Sequence, residues 1–293
     1  MIRFQPLSAL LLIGFLMLLS ACSNNRSTIS ALSEQGLFET AQNQLRKNRF
    51  ILAVETLEKL EADFPFGKYA NSAQLALIYA YYKTEEYALS DASASRFIRL
   101  HPNHPNVDYA YYLRGLAAFP RAATMFQQAF NSDLSKRDMS SPRTSFVNFS
   151  ELTRRFPESP YASDALKRME YLRNLLARHE MGVANYYLDR KAYIAAANRA
   201  RNVVENFQQS PAVPDALAVM VQSYTALNMT ALADRSLAAL RLNYPDYPAL
   251  EGGEFDFGHY REGTSSIVGT LTFGLIDYSK PPGFDSREQY GEF

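Results

Sequence analysis

From about residue 33 to residue 248 the apolar positions recur at intervals of three and four, the period of amphipathic helices rather than of strands. The segments are closed at Phe64-Pro65, His101-Pro102, Phe156-Pro157 and Tyr244-Pro245, and Phe207-Gln208 stands at the same place without its proline. Four residues before each of these rings lies a large apolar residue: Leu60, Phe97, Leu152, Val203 and Leu240. Eleven residues before it lies a small one: Ala53, Ser90, Ser145, Ala196 and Ala233. A small residue where helices cross and a bulky one in the groove is what close helix packing asks for. Proline then ends the helix, because it lacks an amide donor and pushes its predecessor out of the α region. The pattern predicts helices over 33–47, 50–63, 69–83, 86–100, 106–118, 141–156, 160–178, 180–190, 192–207, 213–228 and 230–243. Pro142 behind Ser141 and Pro214 before Asp215 read as helix starts.

Twenty residues before the closing ring, the preceding helices carry Tyr81, Tyr187 and Tyr224, with Gln44 in the first unit. Helix, turn, helix, small residue and closing proline match the tetratricopeptide unit of about 34 residues. Successive rings are 37, 55, 51 and 37 residues apart, so the third and fourth units hold extra sequence, Phe119 to Ser140 and a lengthened helix from Ala162. The expected fold class is therefore all-α: a tetratricopeptide-repeat superhelix of about five helix-turn-helix units with a poorly ordered C-terminal tail. A lone hairpin cannot bury its apolar face, so neighbours stack and leave a concave side for binding. Residues 249–293 turn rich in Gly, Phe, Tyr and Asp and are expected to be a flexible tail, in which Ser265 to Tyr278 alternates weakly like an isolated strand.

The N-terminus reads differently. Arg3 supplies a charged start, Leu7 to Leu19 an apolar run too short to span a bilayer, and Ser20-Ala21 small residues before Cys22. Leu19-Ser20-Ala21-Cys22 resembles a bacterial lipobox. The expectation is a signal peptide over 1–21 and a lipidated tether over 22–32, with a diacylglycerol thioether and an N-acyl chain on Cys22. Ser23 in place of Asp favours the outer membrane. As Cys22 is the sole cysteine, no internal disulfide is possible. Loss of 1–21 removes Arg3 and no acid, leaving 29 basic and 30 acidic residues. That near-neutral balance argues against nucleic acid as a partner.

Chemistry for catalysis is missing from the pattern. His101, His104, His179 and His259 lack the Cys or acidic company of a metal site, and His101 and His104 each precede a proline in a turn. No phosphate loop or nucleophile elbow occurs, so neither an enzyme nor a metal or other cofactor is expected. What stands out is an aromatic and basic density. Tyr79, Tyr81 and Tyr82 lie on one helix, Arg96 and Arg99 on the next, and Tyr109, Tyr111, Tyr112 and Arg114 on the one after. Tyrosine offers a rigid face with a polar tip and arginine a fork for carboxylates, the mixture that peptide-binding surfaces favour. Tyr81 falls on the repeat register, as a core residue would, whereas Tyr82 and Arg114 do not.

Several runs carry a resemblance to a known family: Phe64-Pro65-Phe66-Gly67, Leu77-Ile78-Tyr79-Ala80-Tyr81-Tyr82-Lys83, Arg96-Phe97-Ile98-Arg99-Leu100, His104-Pro105-Asn106 with Asp108-Tyr109, and Arg114-Gly115-Leu116. Ala165 with Lys167-Arg168 and the Asn198-Arg199 pair extend it. Over roughly 16 to 245 the chain is similar to the BamD family of lipoproteins in the outer-membrane β-barrel assembly machine. The resemblance implies a non-enzymatic scaffold at the periplasmic face of the outer membrane. Its N-terminal repeats, 33–157, would recognise targeting signals of unfolded β-barrel proteins, with Tyr79, Tyr82, Arg96, Arg99 and Arg114 as contacts. Its C-terminal repeats, 158–248, would dock a periplasmic POTRA domain of BamA near Arg199, in company with other lipoproteins of the machine. The competing reading is a tetratricopeptide pilotin for type IV pilus secretin assembly, which shares lipid and fold.

Overall fold

A computed structural model of the chain describes residues 33–119, 134–259 and 283–290. The described residues hold helices and no strand. In chain order these are α1 (Glu34–Arg46), α2 (Phe50–Asp63), α3 (Ala70–Lys83), α4 (Tyr87–Leu100), α5 (Val107–Ala118), α6 (Ser140–Arg155), α7 (Ala162–Asp189), α8 (Tyr193–Asn206), α9 (Val213–Ala226), α10 (Thr230–Asn243) and the short α11 (Arg287–Tyr290). Packing divides the chain after Pro102 into two compact units. In the first, α1 to α4 pack each against the next; in the second, α5 packs on α6, α6 on α7, and so on to α10. Each unit is a row of tetratricopeptide-type hairpins, as the apolar period predicts.

The register explains the packing. Leu60, Phe97, Leu152, Val203 and Leu240 are all buried, as are the small residues Ala53, Ser90, Ser145, Ala196 and Ala233. Two of the small residues also tie their helix to its hairpin partner. Ser90 Oγ donates to the Ile78 carbonyl at 3.0 Å, and Ser145 Oγ donates to the Gly115 carbonyl at 2.8 Å. The closing rings are helix C-caps: the amides of Phe64, His101, Phe156, Phe207 and Tyr244 each donate to the carbonyl four residues back.

Turns within hairpins follow one design. Asn48, Glu85, Lys191 and Asn228 adopt positive φ between 55° and 65°. The amide of each reaches the carbonyl three residues back, and the following amide reaches the carbonyls of Gln44, Tyr81, Tyr187 and Tyr224. That is the paired-bond C-terminal motif which satisfies the last carbonyls of a helix. Before four of the five rings, Phe156 being the exception, the position twenty residues back is thus the residue whose carbonyl closes the turn.

Three expectations need correction or completion. The two helices expected over 160–178 and 180–190 are one 28-residue helix, α7. Residues 174 to 181 contain no proline and no left-handed residue, and Asn174, Leu175, Leu176, Ala177, Glu180 and Met181 are buried on both sides of position 179, so packing carries the helix through. The helix expected to start behind Ser141 begins at Ser140, which places Pro142 in its first turn rather than at its first residue. Within the expected tail, Ala249, Leu250, Phe255 and Phe284 join the core of the second unit. The signal peptide, the tether with Cys22, most of the insert between Phe119 and Ser140, and the strand-like 265–278 lie outside the described residues.

Candidate functional site

In the first unit, α3 carries Tyr79 and Tyr82, and α4, packed against it, carries Arg96 and Arg99. The site is locally over-determined. Arg96 is ion-paired to Glu61 of α2, whose Oε1 also accepts from Gln74 Nε2 of α3 at 3.3 Å, so three helices meet on one carboxylate. Tyr81, on the register, donates from its hydroxyl to Glu58 Oε1 at 2.7 Å. Burial, and then this carboxylate, push the phenol well above its usual range. Tyr79 meets the edge of Phe50 at 6.1 Å, Lys83 lies over the same ring at 5.1 Å, and Tyr82 tilts against Tyr87 at 5.9 Å. Arg99 is exposed and makes no ion pair among the described residues.

An open cleft of 420 Å³ lies where the α1–α2 turn meets the end of α3, lined by Asn48, Arg49, Phe50, Ile51, Leu52, Lys83 and Thr84. At the opposite turn Phe66 is 98% exposed. Beside it, a Cβ added at Gly67 would sit 2.2 Å from the Glu34 carboxylate and displace it; that carboxylate accepts from the Tyr69 amide at 2.6 Å and so caps α3 in place of a side-chain N-cap. Tyr69 in turn stacks on Phe38 at 4.8 Å.

Arg114 belongs to the second unit. Its guanidinium donates to Glu151 at 2.6 Å and lies 5.1 Å from the Tyr111 ring centre, while Arg155 shares both partners, and the Arg114 side chain is only 16% exposed. It braces α5 to α6. On the same helix Tyr112 donates to Asp164 at 2.7 Å and stacks on Tyr161 at 4.9 Å. Burial, and then the Asp164 carboxylate, push the Tyr112 phenol up to about 12. Burial alone would raise Asp164, but the bonds from Arg168 and Tyr112 outweigh it and hold the carboxyl below its usual range. Arg199 on α8 donates to Glu180 of α7 at 3.0 Å; the carboxylate is buried while the arginine remains about half exposed.

The structure thus brings Tyr79, Tyr82, Arg96 and Arg99 onto adjacent helices of the first unit, and places Arg114 and Arg199 in the second. Sequence reasoning did not find the carboxylates that hold three of these arginines, nor the exposed Phe66, although the latter falls outside the helical register of the Phe-Pro-Phe-Gly run. Among the described residues no cluster of histidines, cysteines and acids could hold a metal ion, and no helix is long and apolar enough to cross a membrane.

Comparison with known proteins adds the following. The YfiO family, described as an outer membrane lipoprotein, matches residues 30–240. An outer membrane protein assembly factor BamD from Vibrio cholerae is 36% identical over 241 residues, which cover 82% of this chain and 99% of that protein. The BamD of Xylella fastidiosa strain Temecula1 is 36% identical over 85% of this chain and 86% of its own length. That of Neisseria gonorrhoeae is 41% identical over 74% and 82% respectively. On this match across the helical hairpins, the chain belongs to the BamD (YfiO) family of outer membrane lipoproteins.

Proposed function

We propose that this chain is a non-enzymatic lipoprotein scaffold for outer-membrane β-barrel assembly, tethered by acyl chains on Cys22 to the periplasmic face of the outer membrane. The observation that carries the reading is the breadth of the likeness, because relatives named as outer membrane protein assembly factors align across both rows of hairpins. In this reading the first unit receives the targeting signals of unfolded β-barrel proteins, which end in an aromatic ring and a carboxylate. Tyr79 and Tyr82 supply faces for the ring and Arg99 a fork for the charge. Arg96 holds the helices of that site in place, Arg114 braces α5 to α6 in the second unit, and Arg199 marks the face for a POTRA domain of BamA, alongside other lipoproteins of the machine.

Two measurements test this. A photo-crosslinker at position 199, followed by recovery from detergent-solubilised envelopes, should trap BamA; recovery of a secretin without BamA would replace the reading by the pilotin. Arg99→Glu should weaken binding of a C-terminal aromatic peptide by more than about tenfold, roughly 1.4 kcal/mol, with helicity unchanged. Unaltered affinity removes Arg99 from the site. The lipid is tested separately by mass spectrometry of position 22 and by release of a Cys22→Ser chain from the membrane fraction.

A further inference from the structure

The family match ends at residue 240, yet residues 283–290 are held by the second unit in considerable detail. Phe284 is 2% exposed, packed against Phe255 at 5.9 Å and joined to the core that holds Tyr247. Its carbonyl accepts from Asn185 Nδ2 of α7 at 3.4 Å. Two residues on, the Ser286 amide donates to Asp215 Oδ2 of α9 at 3.1 Å, and Tyr247 holds the other oxygen of that carboxylate at 3.0 Å. At the far end Gln289 donates to the Asp246 carbonyl at 2.5 Å, and Tyr290 meets Tyr244 edge-on at 5.5 Å.

These contacts have the character of ligand recognition. An apolar slot takes one aromatic side chain, while a buried amide reads the carbonyl of that residue and a buried carboxylate reads the main-chain amide two residues on. Glycine is demanded at 283, where φ is +122° and a Cβ would lie 2.0 Å from Asn185 Cγ. Asp215 and Asn185 are buried polar groups in an apolar setting, and the main chain of this segment supplies bonds that such groups need. The fit is also incomplete. Asn185 Oδ1 and the Tyr290 hydroxyl are buried with no hydrogen-bond partner among the described residues, a penalty that is relieved when the segment leaves and water returns.

We propose that the second unit carries a peptide-binding groove, built from Asn185, Asp215, Tyr247 and Phe255, whose ligand is the chain's own Gly283–Tyr290 segment, held as a detachable clasp. The groove selects a segment with glycine before an aromatic residue. This does not depend on the assembly role proposed above.

The test uses full-length protein and a fluorescent peptide of residues 283–290, read by anisotropy. In the native chain the groove is filled in cis and uptake is weak. Gly283→Ala, whose new methyl strikes Asn185, and independently Phe284→Ala, which empties the slot, free the groove, so each variant chain should bind the native peptide at least about tenfold more tightly than the native chain does. A peptide carrying the Phe284→Ala change should fail to bind either variant. Equal binding by native and variant chains, binding that ignores the peptide's phenylalanine, or no binding at all overturns the proposal. So does loss of helicity in the Gly283→Ala chain, which would make the segment an integral part of the fold.

Discussion

Two glycines inside helices should respond to the same substitution with opposite sign. Gly115 lies in α5, where an added Cβ would stand 2.4 Å from the Phe149 ring. That ring is 1% exposed and faces Tyr112 at 6.0 Å, so it has nowhere to go. Gly182 lies in α7 with nothing within 4 Å of the same construction. Alanine gains up to about 1 kcal/mol over glycine in a helix interior at either site. At Gly182 this is the whole effect, and Gly182→Ala should raise the melting temperature by roughly 2–4 °C. At Gly115 the forced displacement of a packed ring costs about 1–3 kcal/mol, so Gly115→Ala should be destabilised by up to about 2 kcal/mol after the helix gain is subtracted. Thermal and urea unfolding followed by far-ultraviolet circular dichroism measure both. A shift of the same sign and size in the two variants would show that local propensity decides and that the α5–α6 contact is loose.

Further outcomes follow from the turns and the buried polar pairs. Lys191→Gly and Glu85→Gly relieve a left-handed conformation that costs a side-chain-bearing residue about 1 kcal/mol, so each should raise the urea midpoint, while Asn48→Gly, starting from a residue that tolerates it, should change little. Tyr81→Phe leaves Glu58 without its donor and should cost about 1 kcal/mol in unfolding free energy, with an unchanged helical spectrum. Burial raises the Asp215 carboxyl from 3.8 to about 6 against the opposing bonds from Ser286 and Tyr247. A raised acid favours the folded state most when it is protonated, so its contribution is complete below about pH 4 and declines as pH rises through 6, by roughly 3 kcal/mol in all and by about half of that between pH 5 and 7. Asp215→Asn should flatten that part of the stability profile, and an unaltered slope would show that Asp215 is solvated.

Much of the fold was legible because it is repetitive. The offsets from Phe64, His101, Phe156, Phe207 and Tyr244 locate the crossing residues and the last turns, since spacing alone determines which face a residue takes on a helix. What escaped reading has physical reasons. Glu85 and Lys191 are poor residues for positive φ, and only the closed hairpin holds them there. The helix through position 179 is continuous because neighbours bury both of its halves, a tertiary effect with no local signal. The site arginines were recognisable as arginines, but their partners lie 35 and 37 residues away for Arg96 and Arg114. The contacts of 283–290 with Asp215 and Asn185 span 71 and 99 residues, beyond the reach of any local pattern.

The ties between helices bear on which arginines of these hairpins are free to take a charged partner. Glu58–Tyr81, Glu61–Arg96, Arg114–Glu151, Tyr112–Asp164, Arg199–Glu180 and Arg201–Tyr224 each join one helix to a neighbour. A partner carboxylate that took Arg96 or Arg114 would first have to strip away Glu61 or Glu151. The exchange replaces one ion pair by another and leaves a protein carboxylate without its cation, so its net yield is small or unfavourable. Arg99, exposed and without an ion pair among the described residues, carries no such penalty. Arg199 lies between the two cases: its partner Glu180 is buried and would be costly to orphan, yet the half-exposed guanidinium has donors to spare for a second carboxylate. A carboxylate added at Arg99 in the first unit, or at Arg199 in the second, would therefore leave the Glu61–Arg96 and Glu151–Arg114 joints of the respective units intact.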